Sequence, residues 1–435
     1  MKMAKYVQSI RGVVNTEISN KFASHLGTIV GNFIGPGKQV VVGRDVHVPS
    51  QMIKRSITTG LMSAGTDVVD FGIAPIPVIH YGKDFYNAKA MITISKSHLR
   101  PQDIDIKIFS DHEIPLQAHA KKVPWDQIGN LRYVYEYREL YVNGILKKAT
   151  TENIKKKGFL VVLDIKEDFD KPLIPHILNK IGCETVKIDS MDVQSVDEFP
   201  EPSPKRISLV SELTTAIGAD MGIVLDNDAD RVVFIDHKGN IIREQTVLGI
   251  FAQHILKHTP GGNVVSSIVA SQSLEEIVSN AGGNLIKTSV NNVLKEIYAN
   301  NAVFGGDEPG MYVFPEFQTC FDAIFAVVKM LEILAKQDST LSALAGGIKE
   351  YNRTGFTIEC EHEKKDEVIE IFKAKFESES NINTVDGIRV DLEESYILIR
   401  PSRFEPLIRV YVESKSAEKL QELTEYVKKI IEDVQ

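Results

Sequence analysis

Short apolar runs recur along the chain, and each is followed by a helical pattern and a second apolar run. The first of these repeats has predicted strands at 39–43 and 67–72. The helix between them is predicted to be capped by Ser50 and to end at Gly65. The arrangement returns at 159–189 and at 262–288. In each unit roughly 20 to 30 residues separate the two strand starts, as a βαβ unit requires. The runs are nearly continuous Val, Ile and Leu, which is typical of strands covered on both faces. The pattern therefore predicts three related α/β domains.

The C-terminal part of the chain alternates differently. Its pattern predicts strands at 356–361, 396–399 and 407–413 and helices at 366–376 and 417–434, which indicates a smaller α+β domain. The predicted domain boundaries are 1–150, 151–250, 251–355 and 356–435.

Composition narrows the class of protein. The 435 residues carry 50 Lys and Arg and 59 Asp and Glu, a net charge of −9, which argues against a nucleic-acid partner. A local Arg/Lys pocket for an anion remains compatible with that balance. The three cysteines are widely spaced, which predicts neither a zinc site nor a disulfide framework. The most apolar stretch, 321–335, contains Asp322, Lys329 and Glu332, so we expect no membrane span and a cytoplasmic protein.

Three aspartates at alternate positions form the most informative loop. Asp226, Asp228 and Asp230 lie between two strand-like runs, and their carboxylates can converge on one hard cation such as Mg²⁺ or Ca²⁺. A calcium EF-hand needs Gly at loop position six and Glu at position twelve, but the chain has Arg231 and His237 there. The alternatives that remain are a metal site and a solvated acidic turn.

A second loop, 93–98, follows the apolar run 90–92 and contains two serines. A serine at the C-terminal end of a strand in an α/β sheet lies where ligands bind. Lys107 comes ten residues after Ser97 and is a candidate for neutralising charge or handling a proton. The alternative is an ordinary polar loop.

A third loop contains paired glycines followed by two carboxylates. Gly305 and Gly306 are predicted to allow a tight turn that brings Asp307 and Glu308 to a ligand, where they can accept hydrogen bonds from sugar hydroxyls. The alternative is a simple Gly/Pro turn.

A fourth loop concentrates basic side chains near the C-terminus. Arg400, Ser402, Arg403 and Arg409 would together make a phosphate clamp of guanidinium groups and a hydroxyl. The alternative is a surface turn with scattered arginines.

These four loops, in this order and with these separations, resemble those of the α-D-phosphohexomutases, the family of phosphoglucomutases, phosphomannomutases and phosphoglucosamine mutases. Three further segments resemble family motifs: Ile10-Arg11-Gly12, Val42-Gly43-Arg44-Asp45 and Gly72-Ile73-Ala74-Pro75-Ile76-Pro77. The resemblance runs over the whole chain. It implies an α/β fold with three similar α/β domains with mixed sheets and a smaller C-terminal α+β domain, arranged around a central cleft.

The resemblance also implies a function. It implies a Mg²⁺-dependent isomerase of carbohydrate metabolism that interconverts hexose 1-phosphate and hexose 6-phosphate through a phosphoserine and a bisphosphorylated sugar, with hexose 1,6-bisphosphate as activator. The implied partner is a small sugar phosphate. In chain order, the implied domains carry the phosphoserine loop, the metal site, the sugar-recognition loop and the phosphate-binding loop.

Each implied role falls on residues at matching motif positions. The catalytic candidates are Ser97, His98, Lys107 and Arg11. The metal ligands would be Asp226, Asp228, Asp230 and Ser97. The substrate-binding candidates are Asp307, Glu308, Arg231, Arg400, Ser402, Arg403 and Arg409.

The chain departs from the family pattern in the loops that carry the chemistry. Two extra residues separate Thr93 from the Ser-His pair, so counting back from Lys107 selects Ser97 and counting forward from Thr93 selects Ser95. The spacing to Lys107 and the His that follows favour Ser97. The sugar loop lacks the family's Ser, and the phosphate loop has Arg and Phe in place of Gly and Thr. Two alternatives therefore stand beside the mutase: a diverged paralogue that binds a phosphosugar or a protein without efficient turnover, and a phosphatase. The pattern specifies neither the hexose nor the oligomeric state.

Overall fold

The computed structural model describes residues 6–97, 100, 102–165, 172–188, 202–376, 381–402 and 405–432. The chain forms two compact units. The first unit contains Met1–Ile242 and Gly310–Leu344, and the second contains Arg243–Pro309 and Ala345–Gln435. None of the helices in the described ranges is both long enough and apolar enough to cross a membrane.

The first unit begins with a mixed sheet. Its strands are β1 (Tyr6–Val13), β2 (Gln39–Arg44), β3 (Asp67–Ile73), β4 (Ala90–Lys96), β5 (Asp103–Ser110) and β6 (Leu131–Tyr133). Their order across the sheet is β1-β5-β4-β2-β3-β6. β5 is antiparallel to both of its neighbours, whereas β4, β2, β3 and β6 run parallel. The first βαβ unit and its mixed sheet are therefore confirmed.

The helices of this part are α1 (Asn20–Ile34), α2 (Val48–Ser63), α3 (Ile76–Phe85), α4 (Tyr137–Lys148) and α5 (Thr151–Lys157). The predicted cap of α2 is wrong: the helix begins before Ser50, which is fully buried within it, and His47 holds the N-cap position. Pro49 explains the earlier start, because its fixed φ suits the first helical turn. Gly65, with φ at 81°, follows the end of the helix as predicted.

α1 and α2 pack with their backbones unusually close. A Cβ added at Gly27 would lie 2.3 Å from the carbonyl oxygen of Ile57, and one at Gly60 would lie 2.1 Å from that of Ser24. Glycine is therefore required at this crossing.

The second sheet of the first unit is also mixed. Its elements are β7 (Leu160–Asp164), α6 (Leu173–Lys180), β8 (Glu184–Lys187), α7 (Pro204–Ala216), β9 (Met221–Leu225), β10 (Val232–Asp236) and β11 (Ile241–Ile242). The strand order is β11-β10-β9-β7-β8. β9 and β10 are antiparallel, with Leu225 opposite Val232. The aspartate loop is therefore the tip of a hairpin.

The second unit opens with the third α/β pattern. Its elements are α8 (Glu244–Leu256), β12 (Asn263–Ser267), α9 (Gln272–Asn280), β13 (Asn284–Thr288), α10 (Val293–Ala299) and β14 (Phe304–Asp307). β12 is parallel to both β13 and β14. The tight turn predicted at Gly305 and Gly306 is wrong, because both lie within β14. A Cβ at Gly305 would lie 2.4 Å from the Cδ1 of Ile297, so close packing of α10 explains this glycine.

Three further elements follow β14. β15 (Met311–Val313) and α11 (Ala323–Gln337) belong to the first unit, and α12 (Leu341–Gly346) contains the boundary between the two units, after Leu344. The C-terminal part has β16 (Asn352–Glu359), α13 (Lys365–Lys375), β17 (Ile382–Asn383), β18 (Ile388–Leu392), β19 (Ser395–Pro401), β20 (Leu407–Ser414) and α14 (Ala417–Glu432). Its strand order is β16-β20-β19-β18-β17, with antiparallel pairing throughout the described residues. The smaller α+β domain is confirmed.

Arg389 joins the two sheets of the second unit. Its fully buried side chain reaches from β18 to the segment after β12, where Nη1 donates to the carbonyl oxygens of Ile268 at 2.5 Å and Ala270 at 2.6 Å. Its Nε donates to Asp391 at 2.9 Å, and its guanidinium carbon lies 3.7 Å from the centroid of the Tyr396 ring. These contacts hold the C-terminal sheet against the parallel strands.

Candidate functional site

A row of polar side chains crosses three adjacent strands of the first sheet. Arg11 on β1 lies opposite Asp105 on β5, which lies opposite Ser95 on β4. Residues directly opposite in antiparallel strands share one face of a sheet. Arg11 binds Asp105 with both ends of its guanidinium, Nε to Oδ1 at 2.5 Å and Nη2 to Oδ2 at 2.7 Å. Because Asp105 is almost fully buried, this bidentate pair fixes the direction of the Arg11 side chain.

Lys107 lies on the same face, two residues further along β5. Its Nζ is 3.7 Å from Oδ2 of Asp228 and 3.6 Å from Oδ2 of Asp230. Burial lowers the pKa of Lys107, but the charges of Asp230, Asp228 and Asp105 outweigh burial and raise it. Lys107 is therefore a firmly protonated cation that faces two carboxylates of the aspartate loop.

Ser95 also reaches this loop. Its Oγ donates to Oδ2 of Asp228 at 3.2 Å. Burial, opposed by the charge of Lys107, raises the pKa of Asp228 to about 7. A hydroxyl, an ammonium and a carboxylate from two different sheets therefore meet at this point.

Asp226 shapes the hairpin tip. Its Oδ1 accepts hydrogen bonds from the backbone N–H groups of Asp230 at 3.1 Å and Arg231 at 3.2 Å. Ala229 completes the turn in the left-handed conformation, with φ at 54°. Burial, together with the charge of Asp230, raises the pKa of Asp226 well above its usual value. Arg231 turns back towards Asp230, with 3.9 Å between Nε and Oδ1.

Ser97 lies just beyond the end of β4. Its residue is 1% exposed, and its backbone N–H donates to the carbonyl oxygen of Asp103 at 3.0 Å. The backbone N–H of Lys96 donates to Asp45 at 2.7 Å, so the aspartate of the Val-Gly-Arg-Asp segment holds the end of this strand. The candidate His98 lies outside the described residues.

The donor groups around the aspartate loop fit a hard cation by their chemistry. Carboxylate and hydroxyl oxygens are the ligands that Mg²⁺ prefers. Asp226, Asp228 and Asp230 bring three carboxylates to one hairpin tip, and Ser95 adds a hydroxyl. Within the described part of the chain, no three His, Cys, Asp or Glu side chains are arranged closely enough to hold a metal ion. The observed cation near two of these carboxylates is the Lys107 ammonium.

The two carboxylates predicted to read the sugar differ in the second unit. Asp307, at the end of β14, is 2% exposed, and its Oδ1 accepts from the backbone N–H of Glu308 at 2.9 Å. Burial, opposed by a hydrogen bond from Ser267, raises the pKa of Asp307 to about 7. Glu308 is instead held by ionic and polar contacts: its Oε1 lies 2.6 Å from Nη1 of Arg353 and 2.8 Å from Nε2 of Gln245.

The predicted phosphate loop also lies in the second unit. Arg400 on β19 is directly opposite Arg409 on β20, so the two guanidinium groups share one face of the sheet. Each has an internal partner: Nε of Arg400 donates to Asp386 at 2.8 Å, and Arg409 pairs with Glu405. The structure therefore brings the two arginines together but already neutralises both.

Ser402 is nearly buried beside these arginines, and its Oγ donates to Glu405 at 3.3 Å. Lys365, at the start of α13, donates to the carbonyl oxygens of Ser402 at 2.6 Å and Glu405 at 2.7 Å. This buried ammonium fixes the backbone of the loop. The candidate Arg403 lies outside the described residues.

Five residues that support these sites were missed by sequence reasoning: Asp105, Gln245, Arg353, Lys365 and Asp386. Asp105 had a usable signal, because it lies two residues before the candidate Lys107 in an alternating strand pattern and so on the same face. The other four contact residues at least 14 positions away in the chain, so no local pattern marks them.

The mixed α/β sheets, the antiparallel C-terminal sheet and the serine–lysine–aspartate cluster define a multidomain α/β protein with a polar site at its strand ends. Four family profiles match the chain in order: phosphoglucomutase/phosphomannomutase α/β/α domain I over 2–128, domain II over 139–239, domain III over 243–351 and the C-terminal domain over 358–430. The chain belongs to the phosphoglucomutase/phosphomannomutase family, the α-D-phosphohexomutases, and it is an isomerase of that family.

Individual relatives agree with this assignment. A phosphoglucomutase/phosphomannomutase of Thermococcus kodakarensis is 30% identical, with 98% of this chain and 97% of the relative covered. A relative in Methanococcoides burtonii, named "probable phosphoglucosamine mutase", is 31% identical over 96% of this chain and 97% of its own length. These relatives support phosphohexomutase activity at the level of the family.

Solved structures confirm the fold. A phosphoglucomutase/phosphomannomutase family protein from Burkholderia thailandensis superposes with a TM-score of 0.85 at 22% identity, covering 99% of this chain and 96% of the other. An N-acetylphosphoglucosamine mutase from Aspergillus fumigatus, solved with GlcNAc-6P and magnesium, has a TM-score of 0.58 at 14% identity, covering 91% of this chain and 77% of the other.

Proposed function

We propose that the protein interconverts a hexose 1-phosphate and a hexose 6-phosphate in a Mg²⁺-dependent reaction through a phosphoserine. The observation that carries this proposal is the meeting of Ser95, Lys107 and Asp228, in which a hydroxyl and an ammonium contact one carboxylate of the aspartate loop. A phosphoryl carrier needs a hydroxyl next to both a cation and metal-ligating oxygens. The free state of all three cysteines supports a cytoplasmic location.

Asp226, Asp228, Asp230 and the carrier serine would hold the metal ion. When bound, Mg²⁺ supplies positive charge to the oxygens of the transferring phosphoryl group. In the described contacts a single ammonium faces two of the three carboxylates. A divalent cation would bring this cluster closer to neutrality.

Two serines at the end of β4 are candidates for the carrier. The spacing to Lys107 and the following His98 support Ser97, whereas the contact with Asp228 supports Ser95. In either case the serine's O–P bond breaks as an O–P bond to a sugar hydroxyl forms, and the proton of that hydroxyl must leave. The resulting hexose 1,6-bisphosphate reorients and returns its other phosphoryl group to the serine.

Two cations would assist this exchange from the first sheet. Lys107 neutralises the charge of the phosphoryl oxygens and, because it is protonated, can donate a proton to the serine oxygen as the serine's O–P bond breaks. Arg11 offers a guanidinium whose direction is fixed by Asp105. We propose His98 as a second proton-handling group and Arg231 as a substrate contact.

The second unit would bind the rest of the sugar phosphate. A carboxylate of the pair Asp307 and Glu308 would accept hydrogen bonds from sugar hydroxyls, and the phosphate that is not being transferred would be bound by Arg400, Ser402, Arg403 and Arg409. This assignment divides the work among the proposed domains 1–150, 151–250, 251–355 and 356–435.

A mutase assay with paired serine variants tests the proposal. The protein is incubated with Mg²⁺, catalytic hexose 1,6-bisphosphate and the 1-phosphate of glucose, mannose or glucosamine, and the 6-phosphate is followed by ³¹P NMR. We expect turnover of at least one sugar, loss of turnover with EDTA, and a phosphoserine by mass spectrometry that one of Ser95→Ala and Ser97→Ala abolishes. Absence of both turnover and phosphoserine contradicts the mutase, and free phosphate without isomer indicates a phosphatase.

The pairing of the arginines favours a second candidate function. Because Arg400 and Arg409 are each neutralised by an internal carboxylate, a diverged paralogue would bind phosphosugars weakly and without efficient turnover. Saturable binding of hexose 6-phosphate by calorimetry, combined with no isomer in the assay above, would support that candidate.

A further inference from the structure

The two adjacent carboxylates at the end of β14 are not equally available to a ligand. Asp307, which stands at the family's sugar-reading position, is 2% exposed, and its Oδ2 is buried. Its Oδ1 is already occupied by the backbone N–H of Glu308. The Asp307 side chain is also one methylene shorter than that of Glu308. A sugar hydroxyl therefore has little access to this side chain.

Glu308 has the complementary arrangement. Its Oε1 accepts from both Arg353 and Gln245, while its side chain is 22% exposed and its Oε2 receives no hydrogen bond from the described residues. A carboxylate with one oxygen fixed and the other open can accept hydrogen bonds from a hydroxyl in a defined direction.

The groups that fix Glu308 are themselves well anchored. Gln245 lies in the first turn of α8, and Arg353 lies on β16 with its guanidinium carbon 4.9 Å from the centroid of the Tyr411 ring. The Arg353 side chain is 12% exposed, so its ion pair with Glu308 is screened little by water. Three separate elements of the second unit therefore determine one carboxylate orientation.

We propose that Glu308, positioned by Arg353 and Gln245, is the carboxylate that selects the hydroxyl pattern of the hexose phosphate, in place of the neighbouring Asp307. Arg353 and Gln245 are positioning residues that act through Glu308. This inference rests on the proposed function, because it assigns the sugar-reading role within that reaction.

A coupling experiment between residue and hydroxyl tests the inference. The full-length protein and its variants Glu308→Gln, Arg353→Met, Arg353→Lys, Gln245→Met and Asp307→Asn are assayed with the preferred hexose 1-phosphate and with its 3-deoxy and 4-deoxy analogues. Arg243→Gln is the matched control, because this exposed arginine pairs with Glu350 and makes no contact with Glu308 in the described structure.

We expect Glu308→Gln to lower kcat/KM for the parent sugar by about 10–100-fold, as the loss of a hydrogen bond to a charged group does. Removal of the hydroxyl that Glu308 contacts should lower kcat/KM of the wild-type protein by a similar factor. Glu308→Gln should then cause little further loss on that deoxy sugar, because both changes remove the same hydrogen bond. Arg353→Met should show the same coupling to the same hydroxyl, with Arg353→Lys partly restoring it. A purely structural role would lower activity equally on parent and deoxy sugars.

Asp307→Asn should produce a smaller loss that adds to hydroxyl removal. Coupling at Asp307 and none at Glu308 would overturn the inference while leaving the mutase intact. If Arg353→Met does not fold by circular dichroism, Gln245→Met supplies the same readout, because it removes a neutral donor only. If wild type shows no turnover, the proposed function fails, and dissociation constants of the parent and deoxy 6-phosphates by calorimetry then decide the role of Glu308. Equal binding of parent and deoxy sugars by wild type would reject it.

Discussion

The charged groups around the aspartate loop of the first unit are unbalanced, whereas the described arginines of the candidate sites in the second unit are each paired with a carboxylate. In the first unit the ammonium of Lys107 faces Asp228 and Asp230, and burial raises the pKa of Asp228 to about 7. In the second unit Arg353 pairs with Glu308 and Arg400 pairs with Asp386. Partly buried charges are therefore incompletely compensated in the first region and compensated by ion pairs in the second.

This difference indicates how each region would meet its ligand. An excess of carboxylate over ammonium favours the arrival of a further cation, which would share Asp228 with Lys107 and Ser95. Paired guanidinium groups must exchange a carboxylate for a phosphate or make room beside it, so binding in the second unit replaces existing interactions. Four changes test the comparison.

Replacement of Lys107 should have the largest effect. Lys107→Met removes the ammonium that faces the two carboxylates, and we expect kcat to fall by about 10²–10⁴-fold, as expected for loss of a proton-handling or charge-neutralising group. Lys107→Arg keeps the charge and should retain part of the activity. Lys156→Met, at an exposed position, is the control. A Lys107→Met enzyme within threefold of wild type would break the comparison.

Removal of a matched cation should act on stability instead. Arg389→Met leaves two buried backbone carbonyl oxygens without their donor, while Asp391 keeps Lys287, and we expect the free energy of unfolding to fall by about 3–5 kcal/mol. Chemical denaturation followed by circular dichroism measures this change. Arg389→Lys should recover part of the loss, and an unchanged denaturation midpoint in Arg389→Met would show that the pairing contributes nothing.

Asp307 should make stability depend on pH. Its pKa is raised from 3.8 to about 7 in the folded protein, so the folded state holds a proton that the unfolded state releases between these values. Wild-type stability therefore falls as pH rises through this window. Asp307→Asn does not lose stability in this way. The difference in free energy of unfolding between the variant and wild type should therefore grow with pH, to at most about 4 kcal/mol in favour of the variant above pH 7. Thermal unfolding at pH 4, 6 and 8 measures it, and an advantage that is largest at pH 4 would reverse the sign.

The smallest effect is expected at the phosphate loop. Asp386→Asn removes the partner of Arg400, and we expect inorganic phosphate to bind about 2–5-fold more tightly, because Arg400 no longer has to exchange a carboxylate for phosphate. Glu393→Gln changes an exposed carboxylate at the other end of the same β18–β19 hairpin and serves as the control. Weaker phosphate binding to Asp386→Asn, measured by calorimetry, would show that Asp386 orients Arg400 rather than competing with phosphate.

The sequence predicted what depends on local pattern. The βαβ units, the C-terminal α+β domain and the hairpin that presents Asp226, Asp228 and Asp230 all follow from apolar periodicity and from the loops at strand ends. The predicted cap at Ser50 failed because Pro49 starts the helix earlier. The predicted turn at Gly305 was wrong because glycine is needed there for close packing against a neighbouring helix and not for a turn.

Pairing between distant residues lay beyond the sequence. Nothing in the local pattern of Arg353 marks it as the partner of Glu308, 45 positions away. The ion pair of Arg400 with Asp386, 14 positions away, likewise converts a predicted phosphate ligand into a group that is already bound. The number of charged residues can be read from the sequence, but which of them form ion pairs depends on tertiary contacts.

The row formed by Arg11, Asp105 and Ser95 constrains how this protein tolerates changes in length. Side chains alternate between the faces of a strand. A single-residue insertion in β5 before Asp105 would therefore turn both Asp105 and Lys107 to the opposite face. An insertion of two would preserve the face. The two-residue difference from the family around Ser95 and Ser97 obeys this parity. Libraries that diversify this segment should therefore vary its length in even steps.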